Sequence, residues 1–355
     1  EAGGPGDGRE KAALKRSRNR PPTWVLLFIV FALPSLLAFF FLPTGFVLEG
    51  PGASFDLLSR VEVRGWDVLQ DGGEFLLTSV LVDEASMAEV LFALVSPDYE
   101  LAATKEAGIE EDTEFKDDLY TCVSRMSASA LALKEAGAPV ETRRLGAAVM
   151  ETAPGFPAEG ILKPGDVILE VEGTRILGAD ELKRAISRYS PGVELELAVD
   201  ELEYEDAAAL TFRLAGRARK VRVSTAESDG EPVIGVVVAD WFEYHSPVEV
   251  IWDLGSVRGP SAGLMMALTL YGLLSREALA GGKKVAGTGT IDLEGRVGPI
   301  GGLPLKVKAA ERSGAEVFLY PEENGDEALS VETRMRMIPV GSFDEALKAL
   351  RENAD

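Results

Sequence analysis

The sequence predicts an α+β multidomain protein with an N-terminal transmembrane helix. Three observations carry that prediction: a long apolar run near the start, a later change from helical periodicity to strands bounded by glycine turns, and a length of 355 residues. That length accommodates two or three ordinary domains. Hydrophobic residues make up 46% and charged residues 26%, a balance that builds packed cores rather than disorder.

Charge and composition narrow the chemistry. A formal charge of −22 disfavours contact with a phosphate backbone, so no nucleic acid is expected as a partner. The single cysteine, Cys122, excludes an intrachain disulfide and a multi-cysteine metal site, and it sits among apolar helical positions as a small buried hydrophobe would. One histidine, His245, makes a conventional zinc site unattractive. No metal and no other cofactor is expected.

The apolar run spans residues 24–42, with mild interruptions at Pro34 and Ser35. As a helix it is about 28 Å long, close to the hydrocarbon thickness of a bilayer. It exceeds a signal-peptide core, and the sequence around Phe41, Leu42 and Pro43 offers no small-residue cleavage site. An uncleaved single span is therefore expected. Lys11, Lys15, Arg16, Arg18 and Arg20 precede it, which makes residues 1–23 a cytoplasmic tail and puts the body outside.

Residues 43–139 read as a membrane-proximal α/β region. Gly50-Pro51-Gly52 closes the exit segment, and a hairpin is expected around Asp71-Gly72-Gly73, with Val61 and Val63 before the turn and Phe75, Leu77 and Leu81 after it. A short helix over 87–95 runs up to Pro97. The acidic residues Glu110, Glu111, Asp112 and Glu114 lead into a second helix, where Leu119, Cys122, Val123, Met126, Ala130 and Leu133 recur at helical spacing before Gly137.

Residues 140–220 have the order of a compact mixed domain: a glycine-entered strand over 145–150, a tight turn into a strand over 161–176, a helix over 179–189 and a strand over 193–199. The segment 200–218 is read as a solvated insertion in preference to a lengthened hairpin. The run from Glu159-Gly160-Ile161-Leu162 to Pro164-Gly165-Asp166-Val167-Ile168 resembles bacterial PDZ domains. That resemblance implies a peptide groove lined by Gly146, Ala147, Ala148, Val149 and Met150, whose backbone would take a ligand as an added strand. Asp166 belongs to the turn and is read as a fold residue.

Residues 221–355 carry the chemistry. A buried strand is expected over 233–239, followed by Gly259-Pro260-Ser261-Ala262-Gly263 and the apolar helix-forming run 264–274. This places Ser261 near a helix start, where unpaired amides can stabilise an oxyanion. Gly259 and Gly263 permit close approach and unusual backbone. Pro299-Ile300-Gly301-Gly302-Leu303 then precedes Lys306, flanked by Leu305 and Val307. Desolvation there would keep a neutral fraction of the amine, which a general base needs.

The two motifs, 45 residues apart from serine to lysine, resemble the proteolytic domain of Lon peptidases. The resemblance implies Ser261 as nucleophile and Lys306 as its base, with Gly259, Pro260, Ala262 and Gly263 as the active-site loop. Lys308 falls two residues past the matching position and is read as a solvated helix lysine. Arg258 stands where many of these peptidases have an acid, and Asp292 where a hydroxyl often lies. Thr288, Thr290 and Asp292 are the candidates for orienting Lys306. A Ser-His-Asp triad through His245, with Asp240 or Asp253, lacks a supporting local signature.

No Gly-x-x-x-x-Gly-Lys-Ser/Thr phosphate loop occurs in these residues. The combination resembles ATP-independent, membrane-anchored bacterial Lon-like peptidases with a PDZ domain. It implies a single-pass protein of the bacterial cell membrane that cleaves exported proteins or peptides, with a homo-oligomer among its open partners. Gly73-Glu74-Phe75-Leu76-Leu77 also resembles an early strand of the Lon domain, which would make the PDZ-like residues an insertion in the protease body. The alternative is a membrane-anchored PDZ adaptor whose Lon-like domain is inactive.

Overall fold

The computed structural model describes residues 22–69, 72–96, 98–103 and 113–354. The basic residues Lys11 to Arg20, Asp71 of the expected turn, Pro97, and Glu110, Glu111 and Asp112 lie outside the described residues. The chain opens with α1 (Thr23–Phe41), β1 (Pro43–Asp56), β2 (Val61–Arg64), β3 (Glu74–Ser86), α2 (Met87–Ala93), β4 (Glu100–Ala103) and α3 (Thr113–Glu135). Its middle supplies β5 (Glu141–Thr152), β6 (Asp166–Val171), β7 (Thr174–Arg175), α4 (Ala179–Ile186), β8 (Glu194–Asp206), β9 (Thr211–Leu214), β10 (Arg219–Ser224), β11 (Ala226–Ser228), β12 (Glu231–Val233) and β13 (Val236–His245). The remainder gives β14 (Glu249–Trp252), α5 (Gly263–Ser275), β15 (Lys284–Gly287), β16 (Thr290–Ile291), β17 (Val297–Gly298), α6 (Leu303–Arg312), β18 (Val317–Pro321), α7 (Gly325–Leu329), β19 (Arg336–Val340) and α8 (Phe343–Ala354).

Helix α1 falls within one residue of its expected bounds. Its mean hydropathy is 2.6 and none of it is buried, and among the described residues it is the one helix long and apolar enough to cross a membrane. Pro34 removes one backbone donor inside it, and Ser35 Oγ donates to the Phe31 carbonyl at 2.7 Å in the turn just below.

Two sheets organise the body. The first has the order β19-β18-β15-β3-β1-β4. Its inner partners come from far apart in sequence, since β3 pairs in parallel with β15 through Phe75↔Val285 and Leu77↔Gly287. The second, with path β10-β8-β6-β5-β13, interrupts the first in sequence. Helix α5 is buried nearly all round, with Leu264, Met265, Met266 and Leu268 inaccessible. A helix apolar on every face belongs inside a core, and α5 lies against α3, α8 and β3.

Four expectations need correction. The hairpin across residues 71–73 does not form: β2 pairs with β14, Val63 opposite Val250, while β3 pairs with β1 and β15. Gly50-Pro51-Gly52 does not close a segment but lies inside β1, at a register shift between Pro51 and Ser54. A side chain at Gly52 would collide with Ser79 on β3, which is why the strand carries glycine there. Residues 200–218 are not a solvated insertion, because β8 runs on to Asp206 and pairs with β9, burying Leu202 and Phe212 against Leu119 and Cys122 of α3.

The fourth concerns residues 233–239, expected to be a buried strand. The strand breaks at Ile234 and Gly235, and β13 is the outer member of its sheet, with Val237 exposed. The apolar run reflects a sheet edge facing α4, not a fully covered core strand.

Candidate active site

Ser261 sits in a 3-10 turn, Pro260–Ala262, that runs directly into α5. Gly259 enters the turn at φ 104, a conformation that glycine adopts without strain. Gly263 is helical and is required for a different reason: an added Cβ would press on Ile291 and on Ser124 Oγ. The amides of Ser261 and Ala262 fall in a first turn, where N–H groups have no intrahelical acceptor.

Helix α6 supplies the lysine. Its first turn hydrogen-bonds Lys306 N to the Gly302 carbonyl, and Leu303, Leu305, Val307, Ala309 and Ala310 bury its inner face. Lys306 goes inward with them and is 5% exposed. Its Nζ lies 2.6 Å from Ser261 Oγ and 3.3 Å from Thr288 Oγ1. Burial lowers its pKa from 10.5 to about 8, since desolvation penalises the ammonium form.

The serine backbone is held from the other side as well. Thr288 Oγ1 and Gly289 N both donate to the Ser261 carbonyl, at 3.2 and 2.9 Å, and Leu264 N donates to the Gly289 carbonyl. Thr288 therefore touches both Lys306 and the Ser261 peptide unit. Of the three orienting candidates it is the one brought to Lys306. Thr290 faces Gly298 across β16 and β17, and Asp292 is engaged by Arg296 and by the Glu294 and Arg296 amides, so neither reaches the amine. Lys308 points elsewhere and pairs with Asp98 at 2.9 Å.

Sequence reasoning missed a row of polar residues on α3, having read only that helix's apolar positions. Asp118, Thr121 and Ser124 recur every three residues and are all buried. Thr121 Oγ1 accepts from Gly259 N at 2.8 Å, Ser124 Oγ donates to the Pro260 carbonyl at 3.2 Å, and Asp118 pairs with Arg258 Nε at 2.8 Å while accepting from Tyr204 OH at 2.9 Å. Arg258, which stands where an acid was expected, thus ties the loop to α3 and also donates to the Gly255 and Val257 carbonyls. The available signal was polar residues recurring every three positions, Asp118, Thr121, Ser124 and Ser127, beside that helix's apolar ones.

We expect Thr121→Val to leave Gly259 N unpaired and shift the loop. Any turnover that depends on Ser261 should fall by about 10- to 100-fold, since near-ångström misplacement costs that much. The loss should appear in kcat more than in KM, and Thr121→Ser should restore it. Steady-state kinetics of the two variants check this.

A cavity of about 580 Å3 opens over Ser261 and Lys306, walled by Gly52, Ala53 and Phe55 of β1 and by residues 77–82 of β3. The remaining sequence candidates lie away from it. His245 is exposed at the end of β13, opposite Glu141, and lines a separate cavity. Cys122 is buried, and its thiol is pushed up to about 11 by that burial. Asp166 is a fold residue, accepting from Arg219 and from Lys163 N. Among the described residues no cluster of His, Cys, Asp or Glu could hold a metal ion.

The strand expected to bind peptide is corrected by the sheet. Gly146, Ala147, Ala148, Val149 and Met150 belong to β5, are buried, and are paired with β6 on one side and β13 on the other. They have no edge to offer. The edge belongs to β13, where a cavity of about 420 Å3 lies between that strand and α4, lined by Ala153, Phe156, Leu182, Ile186, Val236 and Val238.

With this geometry in place, comparison with known proteins bears on the C-terminal part of the chain: residues 251–352 match the Lon protease (S16) C-terminal proteolytic domain. Among individual relatives, the Lon protease of Trichlorobacter lovleyi is 38% identical over 119 residues, 32% of this chain and 14% of that protein. The Lon protease of Azorhizobium caulinodans is 43% identical over 93 residues, 25% and 11% respectively. Lon protease 2 of Bacillus subtilis is 37% identical over 97 residues, 27% and 17%. The chain thus spans less than a fifth of the length of these curated relatives. The PDZ domain of an SdrC-like protein from Listeria monocytogenes aligns with 26% of this chain and 87% of its own, at 20% identity and a TM-score of 0.21, too loose a likeness to bear on the fold.

Proposed function

We propose that the protein is a membrane-anchored serine endopeptidase that cleaves polypeptides through Ser261 and Lys306 without ATP. The observation that carries this reading is the buried Lys306 amine, 2.6 Å from Ser261 Oγ, with its pKa lowered to about 8. Neutral Lys306 accepts the Ser261 proton as Oγ attacks a peptide carbonyl. The amides of Ser261 and Ala262 stabilise the oxyanion. The ammonium returns its proton to the departing amine, leaving an ester on Ser261. Lys306 then takes a proton from water, the hydroxide attacks the ester, and the released Ser261 alkoxide recovers that proton as the product acid leaves. Thr288 fixes the amine in line with Oγ throughout.

The anchor in this reading is α1, with a cytoplasmic N-terminus and the body on the far side of the membrane. The cavity between β13 and α4 serves as the PDZ-like substrate selector, an extended peptide pairing with the outer edge of β13.

The test is to incubate the full chain, in detergent, with a peptide library and sequence the new termini by mass spectrometry. New termini absent from the Ser261→Ala control support the reading. Bound but intact peptides would instead favour an adaptor. Because only the neutral amine can act as base, kcat/KM should rise about tenfold per pH unit below about 8 and level off above it. A profile flat from pH 6 to pH 9 would remove Lys306 from that role.

A further inference from the structure

The joint between α1 and the catalytic sheet contains no linker. Helix α1 ends at Phe41 and β1 begins at Pro43, already paired with Ser86 of β3. Thr44 Oγ1 donates to the Ala85 carbonyl at 2.6 Å across the same joint. Strand β1 is not a tether at the margin: it lies between β3 and β4 in the sheet that walls the catalytic cavity. The helix and the cavity are two ends of one hydrogen-bonded ribbon.

That ribbon sets a distance. On β3 the cavity begins at Val82, four residues from Ser86, and on β1 it begins at Gly52, nine residues from Pro43. At about 3.3 Å per residue, these walls lie roughly 13 and 30 Å from the helix end of the ribbon. The larger figure is an upper bound on the height at which those walls begin above that end, whatever the tilt.

A foot lies beside the joint. Helix α2 starts from Ser86, whose side chain and Glu89 form a capping box, and it rests against the end of α1. Its outward residues Leu91 and Phe92 are exposed, and Leu94 and Val95 just after it are 72% and 81% exposed. They continue the apolar surface of α1 past Phe41, where the neighbouring medium is the lipid headgroup and acyl boundary. Asp83 and Glu84 are exposed at the same end, which suits a zwitterionic surface better than an anionic one.

We propose that this ribbon and foot hold the catalytic cavity at a fixed, short height over the lipid, so that its substrates are juxtamembrane segments of proteins spanning the same membrane. An extended segment leaving the bilayer reaches the cavity after about four to nine residues. The inference rests on the reading of α1 as a span and of Ser261 and Lys306 as a peptidase site.

The experiment reconstitutes the full chain in phosphatidylcholine vesicles with single-pass substrates. Each carries one sequence already shown to be cleaved as a soluble peptide, placed 2, 8, 20 or 40 residues from its span. Cleavage should peak at 8 residues, nearly vanish at 2, and fall about tenfold at 40, following the three-halves power of spacer length. A 20-residue Gly-Ser insertion between Leu42 and Pro43 should bring up cleavage at 2 residues and erase the preference for 8, with soluble-peptide turnover unchanged. Equal rates at every spacing, or an insertion that leaves the preference intact, would overturn the proposal while leaving the peptidase reading standing. Absence of soluble-peptide hydrolysis would overturn both, and release of the protein from vesicles by alkaline carbonate would overturn the proposal together with the reading of α1 as a span.

Discussion

Ser261→Ala should abolish peptide hydrolysis, with turnover falling by at least about 10⁴-fold, because among the described residues no other hydroxyl touches the Lys306 amine from a position that can form the acyl bond. Thr288 is the other hydroxyl in reach, but it is fully buried and donates to the Ser261 carbonyl. The substitution removes one half-buried oxygen and disturbs neither α5 nor the Thr121, Ser124 and Gly289 bonds that hold the loop. Folding, vesicle association and peptide binding should therefore survive. Measuring acyl-enzyme burst amplitude alongside turnover checks both parts. Residual activity within tenfold of the parent protein would mean another nucleophile.

Lys306→Met should produce two effects of opposite sign. Activity falls by a similar factor, since the base is gone, yet the fold gains stability near neutral pH. The lowered lysine pKa means that a proton on this buried amine costs the folded state, and the gap between 10.5 and about 8 corresponds to about 3 kcal/mol. That cost is fully present below about pH 8 and disappears as the pH rises past the ordinary lysine value. Methionine fills the same space without the charge. Its melting midpoint should lie roughly 5 to 10 °C above that of the parent at pH 7, and the difference should shrink towards pH 10. A melting difference that is negative at pH 7, or independent of pH, would show that Lys306 is not a strained, desolvated base.

Much of this site was legible because its signals are local. Ser261 and Lys306 each sit in a short motif whose glycines, proline and apolar flanks fix the turn and the helix that follows. Helix α1 announced itself by the length of its apolar run, and the helical face of α3 by periodicity. What escaped was set by partners distant in sequence. The residues around Gly72 look like a hairpin turn, but β3 takes its partners from β1 and from β15, some two hundred residues further on. The apolar run in β13 reads as buried until one knows that the strand borders a cavity. The roles of Thr121 and Ser124 depend on a loop that the chain reaches more than a hundred residues later. Thr288 was one of three candidates, separated only by which hydroxyl the fold turns towards the amine.

The shared sheet of β1, β3 and β15 also bears on when the site around Ser261 is completed. During synthesis, β1 and β3 emerge long before β15 and α6, and the whole second sheet must appear in between. Such long-range closure is slow and late in folding. The wall of the cleft therefore waits half-built until the lysine-bearing helix arrives. On the proposed reading, a nascent chain that stops short of α6 lacks Lys306 and so lacks the Ser261–Lys306 pair on which hydrolysis would depend.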